Sequence, residues 1–522
     1  MLAATIIGSS MAFIDSTVVN VALPALQTAF GASVVGVQWV VEGYGLALAA
    51  LILVGGSMGD MFGRRRMFVL GVAVFASASA ACGFADNLTQ LIAARAVQGV
   101  GAAFLVPGSL ALVSASFNEA ERGKAIGTWS GSTAITTAIG PVLGGWLITH
   151  LSWRWVFFIN VPLAIAVIAL SLWCAPESRS ALRGRLDWLG ASLATFSLTA
   201  LVFGFIESSR LGWKDPSVIT TLITGIAGTV AFFLIEAREK SPMVPPALFR
   251  SRAFSGANLL TLFLYAAVGI FFFLFPLDLI QMQGYSATAA GGAILPAILL
   301  MFLLSRWSGG LVNRYGARLP LIVGPVIAGC GFLVFSIPSV GGSYWSTFFP
   351  AVLTLGFGMA VSVAPLTTVV MNAVDQDRVG TASGINNAVA RVAGVLAIAC
   401  LGAVMVGVFG SRLNRQLQGV AMPDDVRHEL QANAIKMAAL EPPSTVDPRT
   451  AAAIRSAITV AFVFSFRLVM WICSALALLS AATAWRMMPA VSISQAAEQE
   501  SGATGRRRPR IPAAPEQRPD TA

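Results

Sequence analysis

The sequence predicts an all-α integral membrane protein with about fourteen transmembrane helices, and three observations lead there. Of the 522 residues, 56% are hydrophobic and only 11% charged, against about 25% charged in an ordinary soluble domain, so a water-facing surface cannot be assembled from this chain. The apolar residues come in runs of about 20 or more, the length that crosses about 30 Å of hydrocarbon at 1.5 Å per residue. One polar segment at the end of a span recurs 253 residues later, which points to two copies of one helical unit.

In chain order the spans are read at 2-23, 37-58, 67-86, 90-115, 125-148, 155-175, 187-206, 216-236, 254-280, 288-311, 319-338, 346-369, 381-409 and 456-487. The first begins almost at Met1 without the basic segment that usually precedes such a helix, and a short preceding tail is expected. It carries Asp15, Asn20 and Pro24 and has no small-residue cleavage site, which separates it from a signal peptide. Loops after even-numbered spans hold 15 Lys and Arg, namely Arg64, Arg65, Arg66, Arg122, Lys124, Arg179, Arg183, Arg185, Arg238, Lys240, Arg250, Arg252, Arg314, Arg318 and Arg378. Short loops after odd-numbered spans hold only Arg154, Arg210 and Lys214. The positive-inside bias therefore puts both termini in the cytoplasm. Residues 410-455 then form one long outside loop of mixed charge. Residues 488-522 read as a disordered cytoplasmic tail, whose Arg506, Arg507, Arg508 and Arg510 can also meet lipid headgroups.

Composition excludes several function classes. The net charge of +10 is spread over many short loops and not gathered into one patch, so no nucleic-acid partner is expected. Cys82, Cys174, Cys330, Cys400 and Cys473 each lie alone in an apolar run and read as small core residues. The two histidines, His150 and His428, border loops, so no metal site and no cofactor are expected. No nucleophile with an acid or base partner stands at helix spacing, which argues against an enzyme.

The repeat pairs Gly56-Ser-Met-Gly-Asp60-Met-Phe-Gly63-Arg64 with Gly309-Gly-Leu-Val-Asn313-Arg-Tyr-Gly316-Ala317. Duplicated six-helix halves mark many transporters, with the substrate path between the halves near the midplane. The division that follows is an N-terminal six-helix bundle at 1-175, a linker at 176-252 carrying two additional spans, and a C-terminal bundle at 253-487.

At these residues the chain resembles the major facilitator superfamily, and within it the fourteen-helix drug:proton antiporter branch, over about 1-487. Ile14-Asp15-Ser16-Thr17-Val18-Val19-Asn20-Val21-Ala22-Leu23-Pro24 is similar to that branch's first-helix signature. Gly56 to Arg66 resembles motif A, Arg95-Ala-Val-Gln98-Gly99-Val-Gly101 motif B, and Gly140-Pro141-Val-Leu-Gly144-Gly145 the exporter-associated motif C. Trp153-Arg154-Trp155-Val-Phe157-Phe-Ile-Asn160-Val-Pro162 is a further match. Met61 and Asn313 depart from the pattern, and the second suggests that the C-terminal copy has lost a charge-based latch. The resemblance implies the major facilitator fold, two six-helix bundles plus two extra central helices. It also implies a bacterial inner-membrane antiporter that exports amphipathic, often cationic, compounds against protons. A dedicated exporter of an endogenous metabolite, antibiotic, lipid or siderophore fits the same features, and an envelope partner is left open. A transporter-like sensor would keep the fold and lose Asp15 or Arg95, and both are present.

Asp15 and Arg95 fall at matched depth, roughly 10-13 Å below the outer surface at 1.5 Å per residue, so a charge pair is possible. A buried carboxylate whose arginine partner moves can act as a proton switch; the alternative is a plain structural brace. Glu42 sits one turn inside its span, either wetted by interfacial water or engaged with protons or cations. Gly56, Asp60, Gly63, Arg64 and Arg65 form a gating motif at the membrane edge, where Asp60 either holds the N-terminal end of the helix beginning near Thr381 or steadies its own loop. Gly140, Pro141, Gly144 and Gly145 give an antiporter kink or a close helix approach. Asp278, Arg391 and Arg467 are candidates for cavity-facing groups, with packing braces as the alternative. The expected partners are a small-molecule substrate, protons and membrane lipids.

Overall fold

The computed structural model describes residues 1–117, 119–174, 177–178, 187–239, 242–374 and 378–489. The side chains of Arg122, Lys124 and Asn313 lie outside the described residues, as do Arg179, Arg183, Arg185, Lys240 and the tail with Arg506, Arg507, Arg508 and Arg510. Fourteen long helical segments follow one another: α1 (Leu2–Phe30), α2 (Val34–Phe62), α3 (Arg64–Gly83), α4 (Leu88–Ser116), α5 (Glu119–His150), α6 (Trp155–Cys174), α7 (Trp188–Leu211), α8 (Pro216–Glu236), α9 (Arg252–Met282), α10 (Ala287–Gly309), α11 (Arg318–Phe335), α12 (Phe349–Asn372), α13 (Val379–Leu417) and α14 (Pro448–Met487). Thirteen of them are long and apolar enough to cross a membrane. That count is of the described residues, and several side chains of α5 lie outside them. The 32 residues of α5 span roughly 48 Å at 1.5 Å per residue.

Local chemistry sets the helix ends. Ser33, Asn87, Asp187, Ser251, Ser286 and Asp447 accept a hydrogen bond from a backbone N–H two or three residues on, which satisfies donors left free at a helix start. Pro24 does not end α1, which runs to Gly31 in the left-handed region at φ 58°. Gly63 (φ 113°) and Gly316 (φ 75°), matched by the sequence repeat, both hold positive φ at the same turn of their halves.

The packing repeats with the sequence. Within the first six helices α2 and α3 pack on α4, α1 on α5 and α6, and α3 on α6. Eight helices later α10 and α11 pack on α12, α9 on α13 and α14, and α11 on α14. The halves meet along two seams that the repeat exchanges, α2 against α13 and α5 against α10. The inserted α7 lies on α2 and α13, and α8 packs on α7.

Two sequence expectations need correction. The loop read at 410-455 is shorter, because α13 continues to Leu417 and α14 starts at Pro448. The remainder folds into a helix, Asp424–Ala432, and a 3-10 turn, Ala434–Ala439, whose Val426, Leu430, Met437 and Leu440 join the main apolar core. This segment contacts α1, α2, α9, α13 and α14, and its side is called the cap face below; Met1 lies at the other. The cysteines are not all core residues: Cys82 and Cys473 are buried, Cys400 is partly exposed, and Cys174 and Cys330 are exposed.

Candidate functional site

Asp15 is the single ionisable residue of α1, and its carboxylate is completely buried. Such a group needs partners, because an unpaired charge there costs several kcal/mol. Arg95 of α4, 1% exposed, supplies the first: its Nη1 lies 2.5 Å from Asp15 Oδ2. Gln98, one turn on, donates to Asp15 Oδ1 at 2.8 Å and accepts from the same Arg95 nitrogen at 2.7 Å. Asn160 of α6 donates to Asp15 Oδ1 at 3.4 Å and to Ser79 Oγ of α3 at 3.0 Å. Arg95 Nε donates to the Val40 carbonyl at 3.2 Å, and its guanidinium covers the Tyr44 ring at 4.3 Å. The layer thus joins α1, α2, α3, α4 and α6. Ser79 and Tyr44 went unread as members, while Gln98 and Asn160 stood in the family-like motifs with no role given. Their signal was a polar residue deep inside an apolar run.

Glu42 corrects the expectation of a water-wetted carboxylate. It is completely buried, and neither oxygen has a hydrogen-bond partner among the described residues. The reason is the inserted hairpin: Val35, Leu46 and Ala49 of α2 form one apolar cluster with Leu198, Val202 and Ile206 of α7 and Val395 and Ala399 of α13. One turn before Glu42, Gln38 donates to the Ile398 carbonyl of α13 at 2.7 Å. Trp39 donates to Glu207 of α7 at 3.1 Å, and Glu207 also pairs with Arg210 at 2.7 Å.

At the Met1 face Asp60 bonds Arg64 at 2.7 Å and remains half exposed. The contact with the start of α13 read as one alternative is absent among the described residues in this conformation. Glu177, which the sequence reading passed over, lies 3.7 Å from both Arg65 and Arg66 and accepts from the Arg65 N–H at 3.2 Å. A Cβ at Gly63 would run into its carboxylate.

α5 stays helical through Pro141, and its glycines serve close approach on two sides. A Cβ at Gly140 or Gly144 would overlap Thr17 or Val18 of α1, and one at Gly145 would overlap the Ala287 carbonyl of α10. Across the same seam a Cβ on Gly291 would overlap the Pro141 carbonyl, and Thr149 Oγ1 lies 3.2 Å from Thr288 Oγ1. These contacts gather near the cap face. Gln27 and Gln281 join α1 to α9 there at 2.8 Å, beside a cavity of about 500 Å³ lined also by Lys436 and Glu441.

Asp278 is buried, 3% exposed, in the π-helical turn that ends α9. Arg467 is not deep, as the sequence placed it. Arg467 stands 20 residues from the Met487 end of α14, roughly 30 Å and a full bilayer core away, and the residues from Pro448 onward extend the helix beyond that depth. There it donates to the carbonyls of Ile337 and Pro338 at 3.0 and 3.1 Å. Arg391 of α13 lies across the halves from α1, its guanidinium 5.9 Å from the Phe13 ring.

The comparisons agree with this architecture. The model of the Major Facilitator Superfamily matches residues 5–398. The chain is 36% identical over 438 residues to the multidrug resistance protein Stp of Mycobacterium tuberculosis, covering 83% of this chain and 80% of that one. It is 32% identical to the tetracenomycin C resistance and export protein of Streptomyces glaucescens, covering 92% and 90%. Among solved structures it is similar to a bacterial homolog of the human lysosomal transporter Spinster in an inward-facing conformation (TM-score 0.62, 16% identity, 94% and 98% covered). It is also similar to a D-xylose-proton symporter (TM-score 0.59, 13% identity, 94% and 97% covered). At such identities the structural likeness speaks for the fold alone. With a family model over most of its length and that fold in its helix packing, the chain belongs to the major facilitator superfamily, as a multi-pass bacterial membrane transporter of small molecules.

Proposed function

We propose that this transporter is a proton-coupled exporter of amphipathic drugs or antibiotics, working by alternating access. The relatives named for multidrug resistance, tetracenomycin C resistance and puromycin resistance support the export of such compounds. The observation that carries the coupling is the buried Asp15–Arg95 pair held by Gln98 and Asn160. A proton arriving at Asp15 cancels one charge of the pair and leaves Arg95 with the Val40 carbonyl, Gln98 and the Tyr44 ring. The polar layer that ties α1 to α4 and α6 then loosens, and the N-terminal half is free to rock. Glu42, buried and without a hydrogen-bond partner among the described residues at the seam of α2, α7 and α13, is the second carboxyl group of the coupling machinery. Asp60, Arg64 and Arg65 act at the Met1 face as the gate, and Gly140, Pro141, Gly144 and Gly145 as the close-fitting seal near the cap face.

The excess of Lys and Arg in the loops of the Met1 face supports cytoplasmic termini and an inner-membrane location. The 1-175 and 253-487 bundles are the two rocking bodies. A dedicated exporter of one endogenous antibiotic uses the same parts, and the relative named a tetracenomycin C resistance and export protein favours keeping that reading.

The test is transport in vesicles carrying the full chain, with internal pH recorded while a panel of amphipathic drugs is added. Proton movement coupled to drug movement is expected, and Asp15→Asn abolishes it. Drug movement without proton movement by correctly inserted protein would overturn the coupling, and none of the panel moving would overturn drug export.

A further inference from the structure

Among the described residues, the ionisable groups deep inside the helix bundle are all neutralised or shut away, save one. Asp15 and Arg95 cancel each other and are 0% and 1% exposed. Glu42 is also completely buried. Arg391 differs. It lies 12 residues, about 18 Å, into α13, which is mid-membrane depth, yet it is partly exposed. It makes no ion pair and no hydrogen bond among the described residues, and its single contact of note is the Phe13 ring across the interface.

Arg391 therefore faces the space between the halves and not lipid. The α1 stripe opposite it, Phe13, Ser16, Thr17 and Asn20, is likewise partly exposed and repeats at i, i+3, i+4, i+7, one helix face. The surface on offer is one uncompensated guanidinium, a phenylalanine face and neutral hydroxyl and amide groups.

A guanidinium fork matches a carboxylate in charge and geometry and a phenolate in charge. The same uncompensated charge repels a cation, and among the described residues the carboxylates Asp15 and Glu42 are completely buried. We propose that Arg391 is the substrate-recognising residue of the path and that the preferred cargo is an acidic aromatic compound, a carboxylate or phenolate on a ring system, and not a cationic drug. This refines the exporter reading and rests on it for the transport step alone; the binding step stands by itself.

The experiment uses the purified full-length chain and two probes, fluorescein as the acidic aromatic and ethidium as the cation. Binding is read by fluorescence polarisation and proton-driven transport in proteoliposomes. The wild type is expected to bind fluorescein at least tenfold more tightly than ethidium. Arg391→Ala should weaken fluorescein at least tenfold without weakening ethidium, and Arg391→Lys should retain part of the preference. Arg391→Glu should invert it. A fluorescein affinity unchanged in Arg391→Ala and Arg391→Glu, both folded by size-exclusion profile, overturns the proposal. Proton-driven ethidium transport indifferent to Arg391→Ala, with no fluorescein binding, overturns it too and leaves the exporter reading intact. Fluorescein bound through Arg391 but moved by no proton gradient upholds the site and overturns the exporter reading.

Discussion

Asp15→Asn separates charge from shape at the centre of the proposed switch. Asparagine keeps the size of the side chain and an oxygen able to accept from Arg95 and Gln98, but removes the negative charge facing Arg95. Both partners are essentially unexposed and 2.5 Å apart. Removing one member of a buried pair costs about 3–5 kcal/mol, because the other charge is left uncompensated. Arg95 keeps the Val40 carbonyl at 3.2 Å, Gln98 at 2.7 Å and the Tyr44 ring at 4.3 Å, so the lower end, about 3 kcal/mol, is expected. Arg95→Met alone leaves Asp15 with Gln98 and Asn160 and costs a similar amount. The double substitution removes both charges, and most of the loss should return. The assay is a double-mutant cycle on thermal unfolding in detergent, run beside vesicle transport. In transport, Asp15→Asn should abolish accumulation driven by a pH gradient while exchange of substrate for substrate persists. Strictly additive destabilisation, or full pH-driven accumulation by Asp15→Asn, would refute the reasoning.

Other outcomes follow from single contacts. Cysteines at Thr149 and Thr288, whose hydroxyl oxygens are 3.2 Å apart, should form a disulfide on oxidation that stops transport, and reduction should restore it. Gly63→Ala should lower the yield of folded protein, since φ 113° and the Glu177 carboxylate both oppose a Cβ, with a cost of about 1–3 kcal/mol. Glu177→Gln should change thermal stability by less than about 1 kcal/mol, because its arginine partners are solvent-screened. The Thr450 hydroxyl and backbone hold the exposed Asp447 carboxyl below its ordinary range. Its capping contribution is therefore complete above the ordinary carboxylate range and lost as pH falls through the depressed value. Hydrogen exchange at Thr450 and Ala451 should rise on acidification in the wild type and lose that pH dependence in Asp447→Asn.

Much of the fold was legible because lipid imposes a simple rule: each crossing must be a long apolar helix. Span length and loop charge needed no tertiary information. The meeting of Asp15 and Arg95 was legible for the same reason, since depth along a helix converts to distance from the surface. What depth cannot give is azimuth and neighbours. Nothing in the span of Glu42 shows that α7 lies over it, so wetting by interfacial water stays open beside a proton or cation role, and nothing in the last apolar run shows that the helix extends about two turns before it, so Arg467 reads as deep. Glu177 was missed because it follows α6 and meets Arg65 only after three helices have folded back.

The two seams between the halves are equivalent by the internal repeat, yet the chain treats them differently. At α5 and α10 the described close contacts include Gly145, Gly291, Thr149 and Thr288, small groups near the cap face. At α2 and α13 contact runs from Gln38 against Ile398, through Gly45 against Val395, to Leu53 against Gly384. That is 15 residues of α2, or roughly 22 Å of helix. The inserted α7 adds an apolar cluster and the Trp39–Glu207 bond to this second seam only. Among the described residues the added helices thus reinforce one of two pseudo-equivalent seams, and Glu42 is enclosed in the seam they reinforce.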